Sequence, residues 1–358
     1  MPTPVTPGVR LLWPDLAKGV CILLVVLHHV ITKHYAAWVP DDLGRLGSAW
    51  LGATYALRPV RMPLFFVISG MFAARAVHRP WRQAARRAAG PYYLYVVWLL
   101  LLAVAFSVER TLPMNRTQDL GELLADLVLA STGLWFLYAL SAYFVLARLL
   151  APVPSRWLLP VAAAGSMAAH ALPLDEVNRV SVLAHFFWFL VGTRCVAALR
   201  GLAALEHRAL LPALVVGYAV VAGVLAALRA PQAADVLLGL LGVPAAVLAA
   251  ARIATRPPVA GPLARLGRRT LPVYVLHVPV LAVAHHLVEP PPVGLRGAGA
   301  LVVAGYPLLL TAAVVATCLA AHALMVRSGL GALFELPRRR STVAEASEVA
   351  RRGAVISA

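Results

Sequence analysis

Leu12-Trp13-Pro14-Asp15-Leu16-Ala17-Lys18-Gly19-Val20-Cys21-Ile22-Leu23-Leu24-Val25-Val26-Leu27-His28-His29-Val30 opens a run that stays largely apolar to His34. As a helix, residues 14–34 are long enough to cross a hydrocarbon layer of roughly 30 Å. The run carries Asp15 and Lys18 and has no small-residue cleavage site, so it reads as a retained helix rather than a leader. Comparable apolar stretches recur to Val326, and 61% of the 358 residues are hydrophobic, more than a soluble core can bury. No run alternates with period two, and backbone groups in lipid must be satisfied within their own segment, so the fold class is all-α. Ten spans are expected: 14–34, 60–76, 91–108, 134–150, 157–172, 182–198, 209–228, 235–252, 270–288 and 298–326. The second is cleanly apolar only from Pro63 to Ala74 and is either short, tilted or continuous with 48–57. Residues 122–132, half apolar, read as a re-entrant or surface helix.

The net charge of +17 is a topology signal before it is anything else. Arginines concentrate on alternate loops, at 75–87, 148–156, 194–208 and 252–269 and in the two tails, which together hold 22 of them. The opposite loops hold nine Lys or Arg and ten of the fifteen acidic residues. The positive-inside rule then places both termini in the cytoplasm, and nucleic-acid binding is not expected. Residues 1–335 read as one transmembrane domain and 336–358, with Arg338, Arg339 and Arg340, as a basic, disordered cytoplasmic tail. Cys21, Cys195 and Cys318 lie in or beside apolar spans with no metal-binding spacing, so neither a disulfide framework nor a metal is expected. Abundant Arg with only two lysines, Lys18 and Lys33, points to a GC-rich bacterial genome and so to a multi-pass protein of a bacterial inner membrane.

Charge inside a span costs about 2.5–3.5 kcal/mol at the helix centre on insertion scales, so the first span needs a reason for its polar residues. Asp15, Lys18, Ile22, Val25 and His29 step by three and four along one stripe. Lys18 and His29 stand roughly 16 Å apart along the axis. Two readings of the residues alone stay open. In one, Asp15 and Lys18 form an interfacial ion pair and His29 bonds a neighbouring helix. In the other, His29 is a proton acceptor, because imidazole titrates near neutral pH.

Six motifs follow in order: Asp15, Lys18, Gly19 and His29; Met62-Pro63-Leu64-Phe65-Phe66-Val67-Ile68-Ser69-Gly70; Arg86-Arg87-Ala88-Ala89-Gly90-Pro91-Tyr92; Leu134-Trp135-Phe136-Leu137; Phe187-Trp188-Phe189-Leu190-Val191-Gly192; and Tyr274-Val275-Leu276-His277. Together they resemble the acyltransferase 3 family of multi-pass membrane acyltransferases over about residues 10–326. The resemblance implies transfer of an acyl group, usually acetyl, from acetyl-CoA or another acyl-CoA to a hydroxyl of a sugar, glycolipid or cell-envelope glycan. His29 matches the family's essential histidine, as general base or transient acyl carrier. Lys18 stands where many members have Arg, to meet a CoA phosphate or pair with Asp15. Arg82, Arg86 and Arg87 precede the third span on the side where CoA arrives; they either anchor its phosphates or serve topology and anionic lipid. Ser69 with Gly70 suits close helix packing, or Ser69 contributes to the substrate-binding site. Trp135 belongs to an interface belt or the acceptor pocket, and His277 to a cross-helix hydrogen bond or the cavity wall.

Two rivals remain. An amino-sugar N-acetyltransferase would use the same histidine base. A transporter or exporter would use the same polar stripe as a permeation path, though the second half of the chain holds no counterpart of that stripe.

Overall fold

The computed structural model describes residues 11–36, 44–114, 116–117, 119–130, 132–172, 177–288 and 298–337, which are mostly helical with no strand among them. The tail expected at 336–358 lies outside them from Arg338 onward. α1 (Leu12–His29) carries a buried Pro14 and Asp15 in its first turn, a residue order suited to the positive end of a helix. It runs on into a π-helical turn, Val30–Tyr35, where the Thr32 hydroxyl donates to the His28 carbonyl (2.7 Å) and competes with the regular ladder. α2 (Gly44–Ala56) and α3 (Arg58–Val77) are parted at Leu57, just before Pro59, which cannot continue a donor ladder. Gly47–Val77 is nevertheless one apolar span, so the second crossing is continuous with 48–57.

α4 (Trp81–Val108), α6 (Trp135–Leu149), α7 (Ser155–Ala168), α8 (Val177–Arg194), α10 (Leu210–Ala227), α11 (Asp235–Ala254), α13 (Thr270–Leu287) and α14 (Ala298–Arg327) cover the remaining expected spans. By length and composition, seven of the described spans suffice to cross a membrane. The number is eight if α8 and α9 (Val196–Ala203), bent by 78°, count as one. The difference from ten rests on α6 and α7, which at 15 and 14 residues fall short of the ~17–25 that a crossing takes. The short α5 (Leu120–Leu129) is the helix anticipated at 122–132; Asp119 caps it through the Glu122 amide (2.8 Å), and Ala130 ends it in the left-handed region.

The segment 252–269, read from sequence as a loop, instead holds α12 (Pro257–Gly267). Its Pro257 and Pro258 suit a first turn, and Ala260, Ala264 and Gly267 form a buried small-residue face. That face lets α12 lie directly on α1. A Cβ on Gly19 would meet the Leu263 carbonyl oxygen at 2.1 Å, and one on Gly267 would meet the Asp15 oxygen at 1.6 Å. A second close crossing joins two of the motifs, since a Cβ on Gly70 would stand 2.2 Å from the Phe189 oxygen and one on Gly192 2.1 Å from the Val67 oxygen.

α1 is the inner helix, packed by α3, α11, α12, α13 and α14. Of α10, the most apolar span, no residue is buried, and Val215, Val216, Val220 and Val224 face outward. Lipid as solvent accounts for that inversion.

Candidate functional site

The polar residues of α1 separate along its length: Lys18 lines a cavity, whereas His29 is in the wall of neither that cavity nor a second, smaller one and lies against His277. At the Arg-rich end, a cavity of ≈ 540 Å³ opens between α1, α3, α4, α6 and α13, with Lys18, Ser69, Arg86, Arg87, Phe136 and Tyr274 in its wall. The Lys18 ammonium lies 3.4 Å from Asp15 Oδ1 and 5.0 Å from the centre of the Phe72 ring. The other oxygen of the buried Asp15 is 3.8 Å from Arg268. Asp15 is therefore a buried counter-charge that α12 helps to hold, and Lys18 turns its charge to the cavity.

The three arginines before the third span separate here. Arg86 donates to the carbonyls of Leu336 (2.9 Å) and Pro337 (3.1 Å), pinning the chain after α14 against the cavity. Arg87 lines the cavity. Arg82 is exposed and lies outside that wall. Ser69 reaches the wall with its hydroxyl donated to the Phe65 carbonyl (2.8 Å). Trp135 does not reach it; its ring packs on Phe66 (5.7 Å) and His185 (5.4 Å).

A second, smaller cavity of ≈ 50 Å³ lies toward the other end, lined by Arg116, Thr117, Thr132, Tyr274 and His277 among others. Tyr274 is common to both walls. Its hydroxyl donates to the Gly133 carbonyl (2.8 Å) and accepts from the Phe136 amide (3.3 Å), which fixes the ring between the two spaces. One turn further along α13, His277 donates through Nδ1 to the carbonyls of Tyr274 (2.7 Å) and Val273 (3.1 Å). The His277 and His29 rings are neighbours, 5.1 Å between centroids and inclined by 30°. Enclosed and without a hydrogen-bond partner are His277 Nε2 and His29 Nδ1. His28, on the adjacent face, turns instead to Thr54 (3.0 Å), whose hydroxyl also meets the buried Arg61 (3.4 Å).

The residues that sequence reasoning missed are Tyr274, present in a quoted motif but given no role, and Arg116, Thr117 and Thr132 of the connection between α4 and α6. Nothing periodic marks a connecting segment, so no signal was available for the last three. His185 lines a separate cavity of ≈ 150 Å³ with His170, Ser166 and Ser181.

The connection is built around Glu109. Its carboxylate accepts from the Thr111 amide (2.7 Å) and hydroxyl (2.6 Å), the Leu112 amide (3.0 Å) and Arg116 (3.1 Å). Partial burial pushes its pKa up, but these donors outweigh burial and hold the group near 2. Because the folded pKa lies below the unfolded one, the carboxylate's contribution is complete above about pH 4.5 and is lost as pH falls toward 2. Hydrogen exchange at the Thr111 and Leu112 amides is expected to stay slow down to about pH 4.5 and to accelerate below it relative to amides in α4. Unchanged relative protection at pH 3 would remove Glu109 as the organiser of this connection.

The family model for an acyltransferase domain, acyltransferase 3, matches residues 11–326. The chain is 30% identical over 204 residues to the inner membrane protein YcfT of Escherichia coli strain K12, covering 51% of this chain and 55% of that relative. The chain thus spans about half the length of the curated relative it matches. No solved structure matches.

Proposed function

Because the chain belongs to the acyltransferase 3 family of integral membrane proteins, we propose that it moves an acyl group, acetyl first, from acyl-CoA to a hydroxyl of a sugar, glycolipid or cell-envelope glycan. The membrane in question is the bacterial inner membrane, the location named for its YcfT relative. The observation that carries this reading is the succession of features from the Arg-rich end inward. A basic cavity holding Lys18, Arg86 and Arg87 ends at Tyr274, and one helical turn beyond it His277 meets His29.

In this reading the CoA phosphates meet Arg87, Lys18 and Arg86 at the mouth, and the pantetheine arm runs inward along the apolar wall of Phe136 and Leu137. His29 takes the proton of the acceptor hydroxyl as its oxygen attacks the thioester carbon, or it first carries the acyl group itself. A site enclosed by helices strengthens these interactions and excludes hydrolysis. An exporter would need a permeation path through both halves of the chain, and the second half holds no counterpart of the Asp15 to His29 stripe.

The test uses the full chain in detergent with acetyl-CoA labelled in the acetyl group and extracted envelope glycans. Expected are saturable acetyl-CoA binding and protein-dependent labelling of an alkali-labile ester on the glycan. Absence of acetyl-CoA binding would overturn the proposal, and an alkali-stable product would assign the amide chemistry of an amino sugar.

The arginines provide a sharper check. Arg87→Ala is expected to weaken acetyl-CoA binding about tenfold or more, the effect of losing a hydrogen bond to a charged group worth ~1.5–3 kcal/mol. Arg82→Ala is expected to stay within about twofold, since Arg82 is outside the cavity wall. Titration calorimetry with acetyl-CoA reads both, and equal losses would mean that the basic loop acts through net charge alone.

A further inference from the structure

We propose that His277 is a positioning residue that sets the tautomer of His29, an inference that rests on His29 being the general base. Tyr274 and Val273 carbonyls both accept from His277 Nδ1, so the His277 proton resides there and Nε2 is a bare lone pair. That lone pair is enclosed and finds no donor. Beside it stands the His29 ring, whose own enclosed nitrogen, Nδ1, has no partner either. A buried polar atom left unsatisfied costs about 1–3 kcal/mol, and here two such atoms belong to neighbouring rings, 5.1 Å between centroids and not joined by a hydrogen bond in this structure, and are complementary. A proton on His29 Nδ1 gives each the partner that the other lacks. Hydrogen bonds of this kind are often long before substrate binds and tighten in the reactive complex.

The consequence is chemical. With Nδ1 protonated and directed to His277, the only lone pair of His29 is at Nε2, which is the nitrogen left for the acceptor. The acceptor O–H proton passes to His29 Nε2 while its oxygen forms the new bond to the acyl carbon and the C–S bond of acyl-CoA breaks. The departing thiolate then recovers that proton from Nε2. His277 neither gains nor loses a proton; it accepts from His29 Nδ1–H throughout and stabilises the imidazolium between the two transfers. Its place in the sequence matters, because a histidine three residues after Tyr274 is on the same face of α13 as the wall between the cavities.

Two substitutions separate this role from packing. In His277→Gln the amide oxygen falls near the position of Nε2 and keeps an acceptor; in His277→Leu the volume is filled without one. Expected are a loss of about 10²-fold or more in kcat for acetyl transfer from acetyl-CoA in His277→Leu, with acetyl-CoA affinity unchanged, and recovery of at least tenfold in His277→Gln. A readout that needs no acceptor is carbethoxylation of His29 by diethylpyrocarbonate, followed at that residue by mass spectrometry. It is expected to slow in His277→Leu and to recover in His277→Gln. If His277→Leu does not fold, His277→Asn replaces it, because its oxygen falls near Nδ1 instead; an Asn variant as active as the Gln variant would overturn the inference. So would a Leu variant as active as wild type while His29→Ala is inactive. If His29→Ala itself keeps full activity, the general-base reading has failed and the inference with it.

Discussion

The His29→Ala protein is expected to bind acetyl-CoA with wild-type affinity and to transfer its acetyl group about 10²–10⁴-fold more slowly, the range that a positioned base contributes. The separation between binding and turnover follows from the geometry. Lys18, Arg86 and Arg87 line the cavity at the Arg-rich end, whereas His29 lies roughly 16 Å further along α1 from Lys18. Truncating the imidazole removes no group from the CoA-binding wall. Rapid-quench sampling of the wild type separates the two chemical roles of the ring. Acetyl label on a peptide containing His29 within the first turnover assigns the covalent carrier, and its absence assigns the base. Wild-type turnover in His29→Ala would remove His29 from the mechanism.

Gly267→Ala is expected to cost about 1–3 kcal/mol or more, the penalty of overpacking, because there is no flexible side chain to yield. The added methyl would sit 1.6 Å from the Asp15 carbonyl oxygen and 3.0 Å from the Gly19 amide nitrogen, so backbone must separate from backbone. The effect reaches the site, since α1 carries Asp15, Lys18 and His29 and Asp15 meets Arg268 beside the same contact. Lower thermal stability in detergent is therefore expected together with weaker acetyl-CoA binding. Gly261→Ala on the same helix is the control, because nothing lies within 4 Å of its added carbon. It is expected to be neutral or to stabilise by up to ~1 kcal/mol through helix propensity. Equal unfolding midpoints for the two variants would show that the α1–α12 contact is looser than its geometry requires.

Helical membrane character and the alignment of Asp15, Lys18 and His29 on one stripe of α1 were legible from residue order alone. Their causes are local. Segment length and apolarity set what can span a bilayer, and a period of 3.6 aligns Asp15, Lys18 and His29 whatever surrounds them. The close crossing at Gly70 was legible as a tendency of small residues, though its partner, Gly192, was not. Local pattern also misjudged 252–269, where clustered arginines suggested a loop. Its helix is amphipathic, and only α1 beneath it gives the small-residue face something to bury against.

Tertiary structure alone decided which polar groups share a space. Arg82, Arg86 and Arg87 share one basic segment before the third span, yet packing of the chain after α14 and the rotation of α4 admit two to the cavity wall and exclude the first. Nothing in spacing relates His29 to a histidine on α13, because contact between residues far apart in sequence depends on how helices cross and not on the period of either one. The division has one physical origin. Lipid as solvent tests each segment separately for apolarity and internal hydrogen bonding, whereas cavities and partnerless atoms are properties of the gaps that remain when all the helices have packed.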